Sequence, residues 1–282
     1  MSNCSQTAEF DMKQATAVDA VTTGLNHLTL ECVGMTDVGR ARDHNEDDFF
    51  LSQNDEALCV VADGMGGHRS GEVASALAIK TMVEYYRDHR ADDLDLQSDE
   101  DPYERRLAAA IQAANTAVFE SASRNELYRG MGTTIVSAYF TYDRVYLGYI
   151  GDSRVYRFRD GALEQLTDDH SLANEYLEMG ILSDDQVEFF PYKNVITRAC
   201  GLGEDVEVAT ADGELRPGDV FLLCSDGLTD MIPTERLATM IDRSLSDGQR
   251  LGELCESMVE RANANGGEDN ITVVLAHATP AG

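Results

Sequence analysis

The sequence predicts one α+β domain that combines apolar strands with amphipathic helices. Two unbroken apolar runs, at 57–62 and 220–224, are typical of strands that are buried on both faces. Apolar residues that recur every three or four positions at 73–86 and at 251–262 predict helices with one buried side. The chain has 282 residues, 43% of them hydrophobic, so it is long enough to bury a sizeable core.

The predicted elements follow one another through a single domain that spans 27–282. Residues 1–26 are polar, rich in Thr and Ala and without a sustained period, which predicts a mobile tail. Strands are predicted at 27–33, 49–51, 57–62, 133–140, 145–150, 155–158, 220–224 and 271–276. Helices are predicted at 73–86, at 107–118, after Pro233 and at 251–262. We interpret the acid-rich stretch 88–104 as a solvated connector and the polar stretch that starts at 167 as a surface excursion.

Acidic residues outnumber basic residues by 51 to 22, and the formal net charge is -29. Nucleic acids and anionic lipid surfaces are bound through basic residues, so we expect neither a nucleic acid nor a membrane as a partner. Most of the acidic excess is interpreted as solvated surface. Cation binding and adaptation to a salty environment are alternative explanations.

Cysteine usage and the N-terminal sequence favour a cytoplasmic protein. The six cysteines include no CxxC pair, which disfavours structural zinc and a disulfide framework. No apolar run approaches the roughly 18 residues that a membrane span needs. Glu9, Asp11 and Lys13 stand where a signal peptide would need its apolar region. We expect the protein to act as a monomer.

Carboxylates stand at the ends of several predicted strands. In an antiparallel sheet the start of one strand lies beside the end of its neighbour, so these carboxylates can all reach one edge of a sheet or sandwich. Asp63, Asp152 and Asp226 follow the ends of apolar strands, and Glu46, Asp47 and Asp269 precede strand starts.

Several carboxylates at one edge would repel one another. At about 4 Å and an effective dielectric constant of about 20, each pair is destabilised by roughly 4 kcal/mol. Either several are protonated or divalent cations bind, and the hard oxygen ligands favour Mg2+ or Mn2+ over zinc. Two such ions about 4 Å apart can activate a bridging water for hydrolysis of a phosphate ester. Arg42, four residues before Glu46, has the planar fork that suits a phosphoryl group.

Short motifs occur in order along the chain: TDVGRARDHNED at 36–47, VADGMGG at 61–67, GMGTT at 130–134, GDSRVY at 151–156, LTDDHS at 166–171, SDGL at 225–228 and EDNITVV at 268–274. Together they resemble the metal-dependent protein serine/threonine phosphatases, in the bacterial branch of the protein phosphatase 2C (PPM) family. The resemblance covers about residue 27 to the C-terminus. It implies a central antiparallel β-sandwich flanked by helices on both sides. It also implies hydrolysis of phosphoserine and phosphothreonine in proteins, opposing a Ser/Thr protein kinase.

The resemblance further implies roles for individual residues. Asp63 would be the carboxylate that bridges two Mn2+ or Mg2+ ions, and the Gly64 carbonyl would be a ligand of one of them. Asp226 and Asp269 would complete the other ion, and Glu46 and Asp47 would be the acidic pair that holds the second ion directly or through water. Asp152 would join Asp226 in holding a weaker third ion. Arg42 would contact the substrate phosphate, and Asn270 would support the ligands without touching an ion.

One position departs from the pattern of many eukaryotic members, which place a proposed general acid, a histidine, directly after the Asp-Gly pair. This chain has Met65 there and its histidine at His68. We therefore treat His68 as either a proton donor or a structural loop residue, and Arg42, Asp63, Asp226 and His68 as the catalytic candidates. The polar stretch 167–198 corresponds to the flap of the family, which lies beside the site and influences substrate choice.

Simpler readings exist for each of these residues. The aspartates could cap turns after strands, the segment Asp152-Ser153-Arg154 could form an ordinary turn with a salt bridge, and Arg42 could be an ordinary surface residue. The alternative function is a non-catalytic phosphoprotein-binding module on the same scaffold, which is disfavoured because every ligand position carries a suitable residue. A metal phosphodiesterase or nuclease would need basic groove walls, which the net charge opposes.

Overall fold

The computed structural model describes residues 19–25, 27–52, 57–67, 69–89, 101–141, 143–187 and 189–281. The strands are β1 Asp19–Leu25, β2 Leu28–Asp37, β3 Asp47–Leu51, β4 Ala57–Met65, β5 Gly132–Thr133, β6 Ile135–Phe140, β7 Arg144–Ile150, β8 Arg154–Arg159, β9 Ala162–Gln165, β10 Ala209–Glu214, β11 Val220–Cys224 and β12 Ile271–Pro280. The α-helices are α1 Ser70–Asp88, α2 Pro102–Arg124, α3 Leu172–Glu178, α4 Asp184–Val187, α5 Asp226–Thr229, α6 Thr234–Asp247 and α7 Leu251–Ala264. Among the described residues, no helix combines the length and the apolar character that a membrane crossing requires.

The strands form two sheets in which the paired strands run antiparallel. One sheet has the order β1-β2-β12-β11-β8-β9, which we call sheet A. The other, sheet B, has the order β10-β7-β6-β4-β3, and the short strand β5 is added to it through β4. The predicted antiparallel α+β fold is therefore confirmed.

Three apolar clusters define the layers of the molecule. The cluster between the sheets contains Leu30, Phe221 and Leu223 from sheet A and Val61 and Val136 from sheet B. A second cluster packs the outer face of sheet A against α6 and α7, and a third packs the outer face of sheet B against α1 and α2. The order helix, sheet, sheet, helix is the β-sandwich flanked by helices on both sides that the motifs imply.

The two unbroken apolar runs are explained by this layering. In β4, Cys59 and Val61 point into the sandwich, while Leu58 and Val60 point toward α1 and α2. Successive side chains of a strand point to opposite faces, so a strand covered on both faces must be apolar at every position. In β11 the same alternation divides Phe221 and Leu223 from Val220 and Leu222.

The predicted boundary of the N-terminal tail at residue 26 is wrong. Residues Asp19–Leu25 form β1, which pairs along its whole length with β2 at the edge of sheet A. Only Thr23 and Leu25 of this strand are buried, so an edge strand with few apolar residues lacks the signal that marked the others. Residues 1–18 lie outside the described residues, and a mobile tail there stays a prediction.

We expect the cluster between the sheets to dominate stability. Leu223→Ala should lower the free energy of unfolding by about 2–5 kcal/mol, because Leu223 is fully buried in that cluster and its truncation leaves a cavity. The same substitution at Leu127, which is 81% exposed, is the matched control and should change stability by less than about 0.5 kcal/mol. Urea unfolding followed by circular dichroism measures both, and equal losses would contradict this account of the core.

Candidate active site

The predicted carboxylates lie at one edge of the sandwich. Asp47 of β3 and Asp63 of β4 are direct partners in the register of sheet B. In sheet A, Cys224 at the end of β11 is paired with both Arg154 and Val273. The loop that carries Asp152, the start of α5 at Asp226 and the loop that carries Asp269 are therefore neighbours at the end of that sheet.

Asp63 lies within β4 rather than in the loop after it, because the strand continues to Met65. Its backbone N–H donates to Thr134 Oγ1 (3.0 Å), and its carbonyl accepts from the backbone N–H of Thr134 (2.9 Å) and from Thr133 Oγ1 (2.9 Å). These hydrogen bonds hold the main chain of Asp63 in place. The carboxylate of Asp63 takes no part in them.

Gly64 allows two backbone segments to approach the strand beside Asp63. A Cβ at this position would lie 2.2 Å from the carbonyl oxygen of Gly71 and 2.5 Å from that of Glu46. Both atoms belong to the main chain and cannot move aside like a flexible side chain. Any larger residue at 64 would therefore displace α1 or the loop that carries Glu46.

Asp47 is buried and is held by two hydroxyl groups. Ser225 Oγ and Thr272 Oγ1 each donate to Asp47 Oδ2 at 2.7 Å. Sequence reasoning did not identify either hydroxyl residue. The available signal was that each stands near a predicted ligand in its motif, Ser225 directly before Asp226 and Thr272 three residues after Asp269.

Asn270 joins three segments of the site. Its side-chain oxygen accepts from the backbone N–H of Glu46 (2.8 Å), and its Nδ2 donates to the carbonyls of Val38 and His44 (both 2.9 Å). The loop from β2 to β3 is thereby tied to the start of β12. Asn270 therefore holds this loop in place, and its role in supporting metal ligands stays a prediction.

Arg42 lies at the rim of the site, where its Nη2 donates to Asp269 Oδ2 at 2.6 Å. The side chains of Arg42 and Asp269 are 49% and 34% exposed, so solvent reaches this ion pair. An exposed pair contributes little to stability, which leaves the guanidinium able to exchange partners. His68, the other catalytic candidate in a loop, lies outside the described residues.

Among the residues that the structure describes, four carboxylate oxygens in this region are buried and have no hydrogen-bond partner. They are Glu46 Oε1, Asp47 Oδ1, Asp152 Oδ1 and Asp226 Oδ1. A buried polar atom without a partner is destabilising by about 1–3 kcal/mol, so native proteins satisfy nearly all of them. Four buried acceptor oxygens without partners at one edge of the sandwich are suited to bind a cation, because hard divalent ions take carboxylate oxygens as ligands.

The simpler readings of two aspartates are not favoured by the structure. Arg154, two residues after Asp152, forms its ion pair with Asp169 rather than with Asp152. Helix α5 begins at Asp226, but its N-cap is Ser225, and Asp226 Oδ1 remains without a partner. Among the described residues, however, no group of three or more Asp, Glu, His or Cys side chains is already arranged so that it could hold a metal ion. Binding would require these carboxylates to turn toward a common point.

Comparison with known proteins identifies the family. The model of the protein phosphatase 2C family matches residues 39–276, which is most of the chain. The chain belongs to the protein phosphatase 2C family. The resemblance inferred from the motifs is therefore confirmed, and the chain is a protein phosphatase by family membership.

Individual relatives of this phosphatase cover nearly the same span. It is 39% identical over 242 residues to the serine/threonine phosphatase Stp of Listeria monocytogenes, covering 85% of this chain and 92% of that protein. The solved serine/threonine phosphatase of S. agalactiae is 32% identical, with a TM-score of 0.78 and coverage of 88% and 99%. The catalytic domain of the phosphatase PstP, solved in complex with 2 manganese ions, is 33% identical, with a TM-score of 0.75 and coverage of 89% and 99%.

The electrostatics of the phosphatase site follow from burial and mutual repulsion. Burial, with the fields of Asp226 and Asp269, raises the pKa of Asp47 to about 7, against the lowering effect of its two hydroxyl donors. Burial and Asp226 raise the pKa of Asp152 to about 7. Burial and Asp269 raise the pKa of Asp226 to about 6. Burial, with the fields of Asp47, Asp226, Asp152 and Asp269, raises the pKa of Asp63 well above its usual value.

These shifts predict how stability depends on pH when divalent ions are removed. Each carboxyl group binds its proton more tightly in the folded protein than in the unfolded chain, where the pKa is about 4. Stability contributed by these protons is complete below about pH 4 and is lost as the pH rises toward about 7. In the presence of chelator, Asp226→Asn should raise the free energy of unfolding at pH 7 by on the order of 1–3 kcal/mol.

Urea unfolding between pH 4 and pH 8 measures the effect, with Asp143→Asn at an exposed position as the control. The control should follow the wild type at every pH. An Asp226→Asn variant no more stable than the wild type at pH 7 would show that repulsion at this edge does not limit stability.

Proposed function

We propose that this phosphatase hydrolyses phosphoserine and phosphothreonine in proteins with the help of Mn2+ or Mg2+, and that it opposes a Ser/Thr protein kinase. Relatives that are named serine/threonine phosphatases and are 38–39% identical over most of the chain support the substrate class. The manganese complex of the relative PstP supports the choice of ion.

The observation that carries the proposal is the set of four buried, unpartnered carboxylate oxygens at one edge of the sandwich. Such a group of acceptors is unfavourable in a protein that binds no cation, because burial and repulsion act together. The ligands we propose for two ions and a weaker third are Glu46, Asp47, Asp63, the Gly64 carbonyl, Asp152, Asp226 and Asp269. Divalent ions held there would polarise the phosphate and lower the pKa of a water molecule to near neutral.

The chain's own residues would orient the substrate and hold the ligands. Ser225 and Thr272 keep Asp47 Oδ2 in place, so that only Oδ1 is left to face an ion. Arg42 would release Asp269 and grip two phosphoryl oxygens, since its fork fits them and its side chain is half exposed. His68 stays a predicted donor of the proton to the leaving serine or threonine oxygen.

Activity measurements on phosphopeptides test the proposal. Phosphoserine and phosphothreonine peptides should be hydrolysed with Mn2+ and left intact with chelator. Asp226→Ala should lower kcat/KM by about 100-fold or more, because ligand residues and their supports control metal affinity. Asp143→Ala, at an exposed position, is the control and should retain full activity.

Three results would overturn the proposal in different ways. Hydrolysis that survives both chelation and Asp226→Ala would exclude the metal mechanism. A preference for phosphotyrosine would exclude the substrate class. Binding of phosphopeptides without hydrolysis, in the presence of Mn2+, would indicate the non-catalytic binding module.

The role of Arg42 generates a separate prediction. Arg42→Lys keeps the charge but loses the bidentate fork, so kcat/KM for phosphopeptides should fall by about 10-fold. Arg40→Lys in the same loop is the matched control and should stay within about 2-fold of the wild type. Steady-state kinetics measures both. A kcat/KM of Arg42→Lys that stays as close to the wild type as that of Arg40→Lys would show that Arg42 acts only through its charge.

A further inference from the structure

The polar stretch 167–198, here called the excursion, leaves sheet A after β9 and contains α3 and α4. Its two ends meet at His170. The backbone N–H of Thr197 donates to the His170 carbonyl at 2.8 Å, and Ser171 forms a β-bridge with Ile196. The excursion is therefore closed at its base, and His170 lies at the point of closure.

His170 forms two hydrogen bonds with Gly151, which belongs to the loop that carries Asp152. Its backbone N–H donates to the Gly151 carbonyl at 2.9 Å, and its ring Nδ1 accepts from the Gly151 N–H at 3.1 Å. The ring also stacks on Tyr149, with centroids 5.5 Å apart and an angle of 15° between the planes. Because Nδ1 accepts, it carries no proton. The lowered pKa of His170, caused first by burial and then by Arg198, agrees with a neutral ring.

The hydrogen bonds continue from this loop to Asp63. Ser153 Oγ and Thr134 Oγ1 share a bond of 2.7 Å, and Thr134 Oγ1 also accepts from the backbone N–H of Asp63 at 3.0 Å. Gly151 itself has φ of +105° and lies against Thr134, whose Cβ would be 2.6 Å from a Cβ at that position. Asp152 therefore lies between two residues that are held by hydrogen bonds. Gly151 is bound by His170, and Ser153 is bound by Thr134, which also contacts the main chain of Asp63.

A second contact fixes the residue next to His170. Arg154, just beyond the Asp152 loop, binds both carboxylate oxygens of Asp169, with distances of 2.9 and 3.0 Å from Nε and 2.6 Å from Nη2. Bidentate pairs of this kind are geometrically specific. Two consecutive residues, Asp169 and His170, therefore connect the base of the excursion to the Asp152 loop and the start of β8.

We propose that His170 is a positioning residue that sets the Asp152 carboxylate for ion binding. The inference rests on the proposed function, because it assigns Asp152 to the ion site. His170 binds neither ion nor substrate in this scheme. Its Nδ1 acts through Gly151, and the stack on Tyr149 holds the ring in place.

Two amide variants distinguish the hydrogen-bond acceptor at His170 Nδ1 from the general polarity of the side chain. His170→Asn places its side-chain oxygen where Nδ1 stands, whereas His170→Gln carries its oxygen one carbon further along. Calorimetric titration of the full chain with Mn2+, without substrate, should show about 10-fold weaker binding of the weakest ion in His170→Gln. His170→Asn should stay within about 3-fold of the wild type. His277→Gln, at a partly buried histidine of β12, is the matched control and should bind Mn2+ like the wild type.

Hydrogen exchange of the Asp152 loop provides the second readout. Mn2+ should slow amide exchange at 151–153 in the wild type and in His170→Asn, and this protection should be lost in His170→Gln. Equal Mn2+ binding in all variants, or equal impairment by Asn and Gln, would overturn the proposal. Because these measurements need no substrate, they are independent of phosphopeptide hydrolysis, whose failure would instead count against the proposed function.

Discussion

The burial of several like charges at one edge of the sandwich is the constraint on which the site depends. Burial raises the pKa of the Asp63 carboxyl group, and the fields of Asp47, Asp226, Asp152 and Asp269 raise it further. Such an arrangement opposes folding unless protons or cations neutralise it. The surrounding structure holds these aspartates through their main chains and through hydroxyl donors, and leaves acceptor oxygens free. Stability and cation binding are therefore linked in this protein.

The sandwich provides the rigidity that this arrangement needs. Asp47 and Asp63 are carried by paired strands of sheet B, and Asp226 and Asp269 by segments that flank the paired strands β11 and β12 of sheet A. Close backbone approaches join the two halves. A Cβ at Gly227 would lie only 2.0 Å from the carbonyl oxygen of Asn270, so the start of α5 rests directly on the loop before β12. The positions of these aspartates are thus set by main-chain packing.

Much of the fold could be predicted because the signals are local. The apolar runs at 57–62 and 220–224 became strands covered on both faces, and the helical periods became α1 and α7. The failure at 19–25 has the same origin. An edge strand that buries only Thr23 and Leu25 has a composition close to that of a polar tail, and its structure comes from pairing with β2.

The sequence by itself determined the family, the order of the elements and the carboxylates that gather at one edge, because motif spacing and strand ends are properties of neighbouring residues. Only the tertiary structure decided the partners. It placed Ser225 and Thr272, 178 and 225 residues away in sequence, on Asp47, and Arg42 on Asp269. It also directed Arg154 to Asp169 and His170 to Gly151. Such contacts join distant segments, so they exist only once the two sheets have packed and closed the long loops between them.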